Sequence, residues 1–150
     1  PPKQALVSDK RVVVRTGEKG YTTEIRAGNH TLLADEPESV GGLDLGPSPY
    51  DLLMAALGAC TGMTLRMYAD HKGWDLNEVK VHLTHSKDYV QDSAHPTEKG
   101  SQIDHIERLV EVDGDLDETQ RAKLLEIADK CPVHRTLHSE IRISTALREE

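Results

Sequence analysis

The feature that most limits the possible folds is a run from Tyr50 to about His71 with few helix breakers. It follows Gly41-Gly42-Leu43-Asp44-Leu45-Gly46-Pro47-Ser48-Pro49, which is too rich in glycine and proline to be regular structure. A structured loop must therefore deliver the chain to one long helix starting near Pro49 or Tyr50, since proline suits a first helical turn. Leu53, Leu57, Cys60, Thr64 and Met67 recur at spacings of four, three, four and three, which predicts an inward apolar stripe carrying Cys60. Gly58 and Gly62 flank that cysteine, and each costs about 1 kcal/mol inside a helix. Close approach of a sheet, a second helix or a substrate is expected there.

On the N-terminal side, Val12 to Val14, Tyr21 to Arg26 and Thr31 to Ala34 read as strands, with a turn signal at Thr16-Gly17-Glu18-Lys19-Gly20, so an antiparallel meander is expected. After Gly73-Trp74, Val79, Val81 and Leu83 alternate with Lys80 and His82 as in a half-buried strand. Ile103 to Val112 reads as its antiparallel partner across a polar loop from Asp88 to Gly100. Asp117 and Gln120 form a capping-box pair ahead of a second apolar stripe, Leu124, Ile127, Ala128 and Cys131. Pro132 ends that helix and can begin a short new one, placing Cys131 at its N-cap. A final strand is expected over Glu140 to Leu147. The order strands, long helix, strands, helix, strand predicts an α+β class.

At 150 residues the chain suits a single domain spanning 1–150. Aromatics make up only 3% and Phe is absent, so Leu, Val, Ile, Ala and Met must build the core. A net charge of −8 without a Lys/Arg cluster argues against nucleic acid or an anionic membrane as partner. No stretch is read as apolar enough to cross a bilayer, and Pro1-Pro2-Lys3-Gln4 lacks a signal region, so a soluble cytoplasmic protein is expected. Gly41-Gly42 and Gly46 match neither phosphate-loop spacing, so no nucleotide cofactor is expected.

In a reducing compartment the only two cysteines, Cys60 and Cys131, read as one redox site rather than a structural disulfide. A thiol attacks as its thiolate, so burial of Cys60 calls for a helper, while the N-cap position with His134 and Arg135 in the next turn offers positive charge to Cys131. Spacing alone leaves open which of the two is activated. The competing reading is a zinc site of Cys131, His134 and His138, with Cys60 as fourth ligand.

The segment from Gly46 to Cys60, followed by Cys131-Pro132-Val133-His134, resembles the OsmC/Ohr family of osmotically inducible and organic hydroperoxide resistance proteins. The resemblance extends over essentially the whole chain. It implies antiparallel sheets packed on a long central helix in an intertwined homodimer. It further implies a thiol peroxidase in which Cys60 attacks an organic hydroperoxide and Cys131 resolves the sulfenic acid. No metal or organic cofactor is implied, and the implied reductant is an external dithiol or a lipoyl-type protein. Family members carry a Glu ten residues before the first cysteine, which orients an Arg from the early strands. Tyr50 occupies that Glu position here, with Asp51 adjacent, and Glu18 and Lys19 stand where the Arg would fall. Arg15, Arg26 or Lys19 are the candidate substitutes. The alternative implied by Tyr50 is a non-peroxidatic relative that binds an apolar or thiol ligand at the dimer interface.

Overall fold

The computed structural model describes residues 11–89 and 102–148. It divides into two compact units, Pro1–Ala55 and Ala56–Glu150, with the boundary inside the long helix. In the first unit, β1 (Val12–Thr16), β2 (Thr23–Ala27) and β3 (His30–Ala34) form an antiparallel meander in the order β1-β2-β3, as expected. The loop that follows is organised by the buried carboxylate of Asp35. It accepts the Thr22 hydroxyl at 2.7 Å and the backbone N–H groups of Glu36, Leu43 and Leu45. The loop closes so tightly that a Cβ on Gly42 would lie 1.9 Å from the Glu36 carbonyl oxygen, and one on Gly46 2.2 Å from that of Leu33.

This loop ends at Ser48, whose Oγ accepts the Asp51 N–H while the Asp51 carboxylate accepts the Ser48 N–H, a reciprocal cap. Pro49 then opens α1 (Pro49–Lys72). The buried positions along α1 are Met54, Leu57, Thr61, Leu65 and Ala69. The expected stripe is therefore displaced: only Leu57 belongs to it, Cys60 and Thr64 lie on its flank, and Met67 is 65% exposed. Small Thr61 and Ala69 hold inward places that a pattern of large apolar residues does not reveal. Against the expectation from sequence, α1 is also long and apolar enough to cross a membrane by length and composition, with a mean hydropathy of 1.3. Its Leu65 and Ala69 are instead packed into the chain's own core.

In the second unit β4 (Asp75–Tyr89) and β5 (Gln102–Asp115) form a long antiparallel pair with Val81 opposite Val110 and Leu83 opposite Arg108. Most of the polar loop expected between them, residues 90–101, lies outside the described residues. Gly58 of α1 meets β4 closely, since a Cβ there would lie 2.8 Å from Leu83 Cδ1. Gly62 has nothing within 4 Å, so the expectation of close packing holds for the first glycine only. Asp117 caps α2 (Glu118–Ala128) through the full capping box with Gln120. Leu124, Ile127 and Ala128 join Leu65, Ala69 and Leu76 in the core, with Trp74, Val110 and Val112 against them. The short α3 (Pro132–Leu137) follows with Cys131 as its N-cap. The strand expected over Glu140 to Leu147 does not form: the segment is exposed and without regular structure, and alternation alone does not make a strand where the segment pairs with none of the described strands.

Candidate functional site around Cys60 and Cys131

Both cysteines belong to the second unit, and both are free thiols. Cys131 is 0% exposed and closes the apolar face of α2. Its sulfur accepts the backbone N–H of His134 at 3.3 Å, the interaction that caps α3. Cys60 is half-buried on α1, close enough to Cys131 for the Cys131 thiol to act on that of Cys60. Burial pushes the Cys60 thiol above its ordinary value, and the adjacent Cys131 pushes the same way. The nearby Val133 N–H and Thr64 hydroxyl act in the opposite sense. The first turn of α3 thus directs successive N–H groups, of Val133 and His134, at the two sulfurs in turn.

A second set of groups reaches Cys131 through Thr61. Thr61 Oγ1 lies 3.8 Å from Cys131 Sγ and 2.7 Å from the Leu57 carbonyl oxygen. The Arg108 guanidinium, whose side chain is 11% exposed, donates from Nη1 to Thr61 Oγ1 at 3.0 Å and from Nη2 to Asp129 Oδ1 at 2.8 Å. His134 is held below its ordinary pKa, chiefly by burial and then by the charge of Arg108, so it is uncharged at neutral pH. Arg108 and His134, with Leu57, Ile106, Leu137 and His138, line a cavity of about 430 Å³.

Arg108, Thr61 and Asp129 were not among the residues singled out from sequence. A signal for Arg108 was present: it shares the period-two register of Ile106, Val110 and Val112, the inward face of β5. For Thr61 the signal is its place four residues from both Leu57 and Leu65. The zinc reading is not supported by placement. Among the described residues no group of three or more His, Cys, Asp and Glu side chains could hold a metal ion. The rings of His134 and His138 instead lie against each other, with centroids 4.4 Å apart.

Arg15, Lys19, Arg26, Tyr50 and Asp51 all lie in the first unit. Arg15 stands opposite Glu24 in the β1–β2 register, and Arg26 Nε lies 4.0 Å from the Glu24 carboxylate. Lys19 is exposed after β1, and Tyr50 is 52% exposed in the first turn of α1. Asp51 is engaged in the cap with Ser48.

A family model described as OsmC-like protein matches residues 41–146. Nothing among the curated proteins matches the chain. Among solved structures, an OsmC-like protein from Mycoplasma pneumoniae is similar with a TM-score of 0.69 at 21% identity, covering 88% of this chain and 89% of that one. An organic hydroperoxide resistance protein from Legionella pneumophila gives 0.63 at 17% identity, covering 87% and 90%. The organic hydroperoxide resistance protein of Bacillus subtilis gives 0.58 at 20% identity, also covering 87% and 90%. At these identities the likeness is one of fold.

Proposed function

The chain belongs to the OsmC-like protein family, and from that premise we propose that it reduces organic hydroperoxides with Cys60 as attacking and Cys131 as resolving cysteine. The observation that carries this reading is the pairing of two free thiols, one half-buried and one wholly buried, within reach of each other. Only the former can meet a bulky peroxide without the fold opening. The Cys60 thiolate attacks the terminal oxygen of R–O–O–H, an S–O bond forms as O–O breaks, and the departing alkoxide takes a proton to leave as the alcohol. The Cys131 thiolate then attacks the Cys60 sulfenic acid, S–S forms as S–O breaks, and hydroxide leaves as water after taking a proton. An external dithiol, of the lipoyl type in the family analogy, returns both thiols and itself becomes a disulfide. The cycle uses no metal or organic cofactor. A reducing, cytoplasmic location suits two thiols that are free at rest.

The same reading takes the functional unit to be a homodimer. Val12, Val13 and Val14 in the first unit and Met63 and Met67 in the second are all exposed, apolar surface that a second copy would cover. The fold neighbours named as organic hydroperoxide resistance proteins support the chemistry.

The test is thiol titration before and after one equivalent of cumene hydroperoxide. Wild type should lose both thiols. Cys131→Ser should consume one equivalent and stop with a dimedone-reactive sulfenic acid, and Cys60→Ser should consume none. One observation favours a non-peroxidatic protein that binds an apolar or thiol ligand: the upward push on Cys60, which holds it as the thiol. Wild type that keeps both thiols free through the titration establishes that alternative and sinks the peroxidase.

A further inference from the structure

The largely buried Arg108 side chain has no part in the two steps of the peroxidase cycle. A guanidinium 11% exposed is costly to bury unless its donors are met. Asp129 satisfies one end at 2.8 Å, from a carboxylate side chain that is itself 68% exposed. The other end is given to a neutral hydroxyl, Thr61 Oγ1, at 3.0 Å.

That hydroxyl has one proton. Arg108 occupies a lone pair on Oγ1, so the proton points away from the guanidinium, toward an acceptor that Thr61 reaches: the Leu57 carbonyl at 2.7 Å or the Cys131 sulfur at 3.8 Å. A neutral sulfur competes poorly with the carbonyl. An anionic sulfur is the stronger acceptor and draws the proton to itself. A Cys131 thiolate then receives two hydrogen bonds, from the Thr61 hydroxyl and the His134 N–H, with the Arg108 charge one hydroxyl away. Cys60 has the Val133 N–H and the Thr64 hydroxyl nearby, and among the described residues the Arg108 guanidinium is bonded to Thr61 and Asp129 rather than to either of these.

We propose that Arg108, fixed by Asp129 and acting through the Thr61 hydroxyl, is a positioning residue that makes Cys131 the departing sulfur when a thiol reductant opens the Cys60–Cys131 disulfide. The inference rests on the disulfide cycle proposed above. The reductant thiolate attacks the sulfur of Cys60, the half-buried one. A new S–S bond forms between reductant and Cys60 as the bond to Cys131 breaks, and the electron pair leaves on the Cys131 sulfur. A second thiol of the reductant then attacks its own sulfur in that mixed disulfide, releasing Cys60 as thiolate and the reductant as its disulfide. Both protein thiolates take up the protons the dithiol has lost. Departure is faster the better the leaving thiolate is stabilised, which is the step Thr61 and Arg108 serve.

Diamide closes the disulfide without any hydroperoxide, so the test is independent of peroxidase activity. The oxidised chain is mixed with excess 2-mercaptoethanol, and the first adduct is timed and located by mass spectrometry. Wild type should carry it on Cys60. Thr61→Val and Arg108→Gln should slow its formation about tenfold, Thr61→Ser should keep the wild-type rate, and Arg108→Lys should recover part of it. Because Arg108→Gln can disturb folding, Thr61→Val decides, being nearly the same shape, with its unfolding transition recorded alongside. Lys123→Gln, which removes an ion pair with Glu126 on α2, is the control and should match wild type. The inference is overturned by a natively folded Thr61→Val that reacts at the wild-type rate, by a first adduct on Cys131, or by a wild-type chain that diamide cannot close. A chain that closes and opens as expected yet consumes no hydroperoxide upholds the inference and removes only the peroxidase reading.

Discussion

Two residues of one kind, Cys60 and Cys131, are made unlike by their surroundings, and the difference is measurable. Because burial and the neighbouring sulfur both raise the Cys60 pKa, alkylation of Cys60 by iodoacetamide should follow a pH profile with its midpoint above the ordinary thiol value. Cys131→Ala should move that midpoint down, since it removes the neighbour's share of the push while leaving the N–H of Val133 in place. A second residue-scale test concerns Asp35. Its native pKa lies below the ordinary carboxylate value, chiefly through the Thr22 hydroxyl, so its contribution to stability is complete above that value and is lost as pH falls through the native one. Asp35→Asn should therefore flatten the fall in melting temperature below about pH 4 while lowering the melting temperature at neutral pH. At this scale the cysteines and the N-cap were legible, because Pro132 announces a helix start and forces Cys131 to precede it. Arg108 was not, because Glu107, Arg108 and Glu111 look alike as charges, and only the strand register turns Arg108 inward.

Elements were more legible than the faces they bury. The caps of α1 and α2 are local chemistry written within four residues, so their positions follow from Ser48-Pro49 and from Asp117 with Gln120. Asp117→Ala should cost about 1 kcal/mol in urea denaturation, with α2 fraying first. The loop before α1 is bound more tightly. Gly42→Ala and Gly46→Ala would drive a Cβ into backbone carbonyls that cannot swing aside, and each should destabilise the fold by about 2–4 kcal/mol in the same measurement. The buried stripe of α1 escaped the periodicity because inward places are held by Thr61 and Ala69 while Met63 and Met67 face out. The segment after Glu140 has the alternation of a strand, with Ile141 and Ile143, and forms none, because a strand is a property of two chains' edges rather than of one sequence.

For the molecule as a whole, the family model at residues 41–146 spans the boundary between the two compact units, so the cysteine site and the loop that opens α1 are inherited together. The proposed dimer belongs to this scale as well. Analytical ultracentrifugation should give twice the chain mass, and removal of residues 140–150 should shift the equilibrium toward monomer; a wild-type monomer at micromolar concentration sinks the dimer reading. The exposed segment with Ile143 at 83% and Leu147 at 97% exposure carries one more consequence. If such surface is covered only by a second copy, folding free energy includes an association term, and dilution becomes a denaturant. The melting temperature should then climb with protein concentration, and the level of expression would itself set how much of the chain stands ready to work.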